Sequence, residues 1–181
     1  MGLGIWVWRN KLTVNLYSFV VMYRRALDTA SHLLAKGVAH AKDQGIAEQD
    51  ILEWRLVDDM NPLAFQLAVV TNYAQGWPAR AAGVTVPEAV TGSELDIAGF
   101  EAALANAKAF LDTLTPEQFA GRDDTPLTFK ITDGMEPTLL VGQWITGFAT
   151  VNITFHLSMA YAILRAKGVP LGKVDLFPAG L

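Results

Sequence analysis

Between Pro137 and Leu164 the chain carries no formally charged residue. The run is long enough to cross a bilayer, so its polar content decides how it folds. Gln143, Thr146, Thr150, Asn152, Thr154, His156 and Ser158 are spread along it, and Gly142 and Gly147 dilute its apolar character. Insertion into lipid disfavours that many polar groups, so the run is expected to be a helix of a water-soluble domain with no membrane partner. The first residues carry no basic segment ahead of an apolar stretch, and that stretch stops at Trp8-Arg9-Asn10-Lys11. They do not read as a secretory signal, and a cytoplasmic location is expected.

Composition narrows the choice. Of 181 residues, 51% are hydrophobic and only 18% charged, against a usual charged share of about 25%. A disordered chain has the opposite balance. There is no cysteine, which removes disulfides, thiolate nucleophiles and cysteine metal sites. The net charge is −4 and no Lys/Arg cluster stands out, so no nucleic-acid partner is expected. A low charge fraction also fits a surface shared between copies, and a homodimer is expected.

The apolar spacing predicts four long helices. From Thr13 to about Asp43, Leu16, Val20, Tyr23, Leu27, Ala30, Leu34, Val38 and Ala41 recur at steps of three and four, and Gly45 closes the segment. Asn61-Pro62 reads as the start of a second helix, with Asn61 as its cap, ending at Gly83. A third begins near Asp96. A fourth runs from about Gly142 to Ala166 and stacks Trp144, Phe148, Val151, Phe155, Met159 and Ala162 on one face. Between the third and fourth, Leu127, Phe129 and Ile131 alternate with polar residues up to Asp133-Gly134, a pair that suits a tight hairpin turn. The expected fold is mainly α, an up-and-down four-helix bundle with a small β-hairpin between helices 3 and 4. It forms one domain over residues 13–181, preceded by an arm over residues 1–12.

Several segments carry a resemblance. They are Lys36-Gly37 to Gly45, Arg55-Leu56-Val57-Asp58-Asp59-Met60-Asn61-Pro62-Leu63, Ala81-Ala82-Gly83-Val84, Asn152-x-x-x-His156, and Ala160 to Arg165 through Gly168-Val169-Pro170-Leu171-Gly172-Lys173. Together they resemble the domain-of-unknown-function family DUF1993, of the DinB/YfiT-like superfamily. The resemblance implies an up-and-down bundle, often a homodimer. In some members it implies a divalent metal on three histidines, two of them spaced His-x-x-x-His on the last helix. This sequence departs there: position 152 is Asn and position 160 is Ala, and the chain has only His32, His40 and His156.

The residues themselves point to His156. It shares a helix sector with Asn152, and that sector borders the aromatic face. Buried polar groups need partners, so the two either bond within the chain and fix helix register or line a pocket. On the pocket reading, His156 is the acid/base and Asn152 the polar stabiliser. Asp58 or Asp59, entering from the start of the second helix, orients the imidazole and raises its pKa; Asp59 is the principal candidate. Trp144 and Phe148 supply an apolar wall, and Met60 and Gln66 are further ligand contacts, unless the Gln66 amide bonds a neighbouring helix instead. The expected ligand is a small, partly apolar metabolite. With no cysteine and one inward-facing histidine, no metal and no other cofactor is expected. His32 and His40 are read as solvated, and Gly92-Ser93 as ordinary loop.

Overall fold

The computed structural model describes residues 14–180, so the arm expected over residues 1–12 lies outside the described residues. Four long helices, α1 (Tyr17–Asp43), α2 (Leu63–Ala82), α3 (Ile97–Asp112) and α4 (Val141–Ala166), form a bundle. α2 packs on α1, α3 and α4, and α1 also lies against α3 and α4. By length and composition α4 could cross a bilayer, yet here it lies along α1 and α2 within the bundle.

The elements form for the reasons the sequence suggests. On α1 the predicted stripe is buried throughout except for half-buried Val38. α2 ends at Gly83, which adopts φ 73°, a left-handed conformation that costs glycine little. Arg122 then donates from Nε to the carbonyl of Ala81, supplying a cation where the helix dipole is negative. α3 is capped by Asp96, whose Oδ1 accepts from the Gly99 amide at 2.7 Å. Strands β1 (Pro126–Thr128) and β2 (Thr138–Leu140) pair antiparallel, Leu127 opposite Leu139, and Gly134 takes φ 77° at the hairpin tip.

Three expectations are corrected. Asn61 does not cap α2 with its side chain. Pro62 is the extended flanking residue, which leaves Asn61 one position too early to reach the free amides. His32 is only partly solvated: half-buried, it lies 2.7 Å from Asp175 through Nε2, tying α1 to the turn at Lys173–Leu176. The third correction concerns the apolar face of α4. Val151 and Phe155 are 58% and 52% exposed. The interior is filled instead by Ile145, Ala149, Ile153, Ala160, Ile163 and Leu164.

A π-helical stretch at Trp144–Ala149 explains the rotation. Its extra residue holds back the phase of everything after it by about 100°. In a plain α-helix, the path from Trp144 to His156 would accumulate about 120° of drift at 100° per residue. With the extra residue the drift falls to about 20°. Trp144, Phe148, Asn152 and His156 therefore fall on one line, while Val151 and Phe155 turn outward. The Ile145 carbonyl, freed from the α-helical ladder, lies 3.1 Å from the Tyr23 hydroxyl of α1 and 2.8 Å from the Thr150 hydroxyl. Both add to the backbone amide of Thr150, which bonds the same carbonyl across the wide turn.

Gly92 has a role that loop composition does not reveal. It sits where the turn at Gly92–Glu94 presses on the start of α2, and a methyl there would lie 2.7 Å from the Ala64 carbonyl oxygen. The obstacle is backbone and cannot rotate away. Gly92→Ala is expected to cost about 1–3 kcal/mol, read as a lower urea midpoint with an unchanged slope.

Candidate functional site

The aligned side of α4 faces α2, and the two helices run antiparallel. Trp144 stacks on Trp77 with ring centroids 5.2 Å apart, Phe148 meets Tyr73 at 5.9 Å, and His156 meets Gln66. This seam carries most of the residues singled out from the sequence.

At its far end His156 Nδ1 lies 2.7 Å from Gln66 Oε1. The Gln66 amide is itself fixed, because its Nε2 donates to the Asn61 carbonyl at 2.9 Å. That carbonyl can only accept, so the amide turns its NH2 group toward Asn61 and its oxygen toward the imidazole. The oxygen in turn can only accept, so Nδ1 carries the imidazole proton. Nε2 is left with its lone pair and has no hydrogen-bond partner among the described residues. Burial pushes the imidazole pKa below its ordinary value, which favours the neutral ring. Phe155 and Phe65 stand edge-on to the ring at 5.1 and 5.8 Å. Phe65 is 40% exposed and Phe155 more so, giving the histidine an apolar rim open to solvent.

Asn152 is half-buried one turn before His156, and Nδ2 donates to the Phe148 carbonyl at 2.8 Å. Its second N–H and its side-chain oxygen have no hydrogen-bond partner among the described residues. Asn152 and His156 thus bond to separate partners and not to each other.

The other candidates are placed differently. Asp58 and Asp59 are exposed in the turn before α2, and neither is paired with His156. The expected carboxylate is replaced by an uncharged amide, and the expected rise in imidazole pKa becomes a fall. Met60 is half-buried in that same turn, and its carbonyl accepts from Arg55 Nη1 at 2.6 Å. Trp144 is 1% exposed and belongs to the core, three turns from His156. Its Nε1 donates to the Leu127 carbonyl at 2.8 Å. Trp144 and half-buried Phe148 border a groove of about 510 Å³ beneath the hairpin, which includes neither Asn152 nor His156.

Sequence reasoning missed Phe65 as a wall of the site and Tyr73 as the partner of Phe148. Gln66 bonds a neighbouring helix, one of the two readings its place beside an apolar stripe allowed, but the identity of its partner, His156, was not visible. Among the described residues no three His, Cys, Asp or Glu side chains converge. The side chains present, an amide at 152, an amide at 66 and one imidazole, do not fit the three-histidine metal site that the resemblance implies.

Three comparisons bear on this chain. A family model described as "Domain of unknown function (DUF1993)" matches residues 16–177. Among solved structures, it is similar to the crystal structure of a DinB family member protein from Shewanella denitrificans. The TM-score is 0.80 and the identity 26%, over 89% of this chain and 90% of that one. No curated protein matches.

Proposed function

This chain belongs to the DUF1993 family and shares the fold of a DinB family member, and from that premise we propose that its α2–α4 seam binds a small, partly apolar molecule with His156 Nε2 as proton acceptor. One observation carries the reading: the Asn61–Gln66–His156 chain commits the imidazole proton to Nδ1 and leaves the Nε2 lone pair without a partner among the described residues. A histidine that served only to fix register would gain by bonding at both nitrogens. Phe65 and Phe155 offer apolar surface on either side, which suits a ligand with a hydrocarbon body and one polar group.

The chemistry such a pair supports best is proton transfer next to a carbonyl. Nε2 takes a proton from the carbon adjacent to the carbonyl, and the electron pair moves onto the carbonyl oxygen. The spare N–H of Asn152, one turn away on the same face, donates to that oxygen as its charge develops. Returning the proton to another carbon gives an isomer, and returning it to the same carbon gives exchange with solvent. General-base catalysis by a positioned side chain is worth about 10²–10⁴-fold.

The test is deuterium uptake at the α-carbon of apolar ketones such as acetophenone in D2O, followed by NMR. The wild type is expected to accelerate exchange, and His156→Gln to lose the acceleration while keeping its helical spectrum and melting temperature. Equal exchange rates with and without protein, or a lowered melting temperature in His156→Gln as its sole effect, would assign the histidine a structural role instead.

A further inference from the structure

Arg80, near the end of α2, is half-buried, yet no hydrogen bond and no ion pair engages its guanidinium among the described residues. Arg24, by contrast, is paired with Asp112 and Asp28, and Arg55 with the Met60 carbonyl and Glu53. The Arg80 guanidinium lies against two aromatic rings, 5.4 Å from the centroid of Trp77 and 5.1 Å from that of Phe129. It folds back along its own helix over Gly76. A methyl at Gly76 would stand 2.7 Å from Nη1, so the absence of a side chain there makes the seat. None of its nitrogens is sealed from solvent, since no buried side-chain nitrogen or oxygen is left unpartnered among the described residues. The nearby Tyr73 hydroxyl is itself kept protonated, burial pushing its pKa up against the opposing effect of Arg80.

The two rings attract the cation without accepting its N–H hydrogen bonds, so those donors stay free among the described residues. The in-plane edge is the part that matches a carboxylate through two parallel hydrogen bonds. Partial burial without a counter-charge disfavours the cation, and Arg80 stays charged because guanidinium does not lose its proton in proteins. An arriving anion would offset that cost. We propose that Arg80, seated on Trp77, Phe129 and Gly76, is a binding site for the carboxylate of a small aromatic or apolar acid, with Tyr73 as a second donor. The fourteen residue steps from Gln66 to Arg80 span about 21 Å along the helix, so this is a site separate from the one at His156.

The probe is benzoate, titrated into the full chain while the Arg80 Nε–H and Trp77 indole signals are followed by NMR. Both signals are expected to shift and saturate. Arg80→Lys keeps the charge but loses the planar fork and is expected to weaken binding about tenfold, roughly 1.4 kcal/mol. Arg80→Met is expected to abolish saturable binding, and Gly76→Ala to weaken it by displacing the guanidinium. His156→Gln is expected to bind benzoate as the wild type does, which keeps this result independent of the site at His156. Absence of saturation in the wild type, equal affinity in Arg80→Met, or tighter binding of phenylphosphonate than of benzoate would overturn the assignment.

Discussion

Trp144→Ala is expected to lower the folding free energy by about 3–5 kcal/mol, the range for truncating a fully buried large aromatic residue. Three losses combine at this position. The indole is 1% exposed and fills the space where α2, α4 and the hairpin meet. It stacks on Trp77 at 5.2 Å and meets Phe148 and Phe129 edge-on at 5.3 and 5.7 Å, and each such pair is worth about 0.5–1.5 kcal/mol beyond area burial. Its Nε1 is also the donor to the Leu127 carbonyl, which holds β1 to α4. Trp144→Phe separates these contributions: it retains most of the packing and loses the hydrogen bond, and is expected to recover more than half of the deficit. Urea titration of the three proteins measures both values. A loss below about 1 kcal/mol for Trp144→Ala would mean that the aromatic cluster is not part of the cooperative core.

Gln66→Glu is expected to reverse the protonation of His156. In the wild type an uncharged amide accepts from Nδ1 and burial favours the neutral ring, so the pKa lies below the ordinary value of 6.5. A carboxylate in the same place favours the imidazolium and raises the pKa above 6.5. The sign of the pH dependence follows by linkage. In the wild type the folded pKa is depressed. The contribution of His156 to stability is complete above about pH 6.5 and declines as pH falls below that, because the unfolded chain binds the proton more readily. In Gln66→Glu the folded pKa is raised. Its contribution is complete below about pH 6.5 and is lost as pH rises through the folded pKa. The difference in urea midpoint between the two proteins should therefore move in favour of the variant as pH is lowered from 7.5 to 5.5. Ketone exchange at neutral pH should fall as well, since a protonated Nε2 cannot accept. A difference in midpoint that does not change with pH would mean that Gln66 and His156 are not coupled.

Much of the bundle was legible because its signals are local. The α1 stripe, Asp96 ahead of α3, Gly83 after α2 and Asp133-Gly134 at the hairpin each act within a few residues, and each appears where the pattern places it. The π-turn in α4 was not legible. It is held in part by Tyr23, 122 residues away in sequence, which accompanies Thr150 at the Ile145 carbonyl. Periodicity analysis assumes 3.6 residues per turn throughout, so it carried the aromatic face on through Val151 and Phe155. The same turn brings Asn152 and His156 into line with Phe148 against α2. Pairing them on one face was correct, but their partners could not be read. An acidic pair ahead of a helix suggested a carboxylate for the histidine, whereas the chain turns Asp58 and Asp59 to solvent and offers Gln66 from one turn further on. Arg80 escaped notice because its signal, a glycine four residues earlier and two rings from different elements, becomes visible only once the helices are packed.

The proton acceptor at His156 Nε2 is the central claim, and nitrogen NMR of the imidazole ring tests it most directly. In protein labelled with 15N at histidine, His156 is expected at pH 7 to show a protonated Nδ1 and an unprotonated Nε2, with a titration midpoint below 6.5. A ring protonated at Nε2 with Nδ1 bare, or an imidazolium at pH 7, would contradict it.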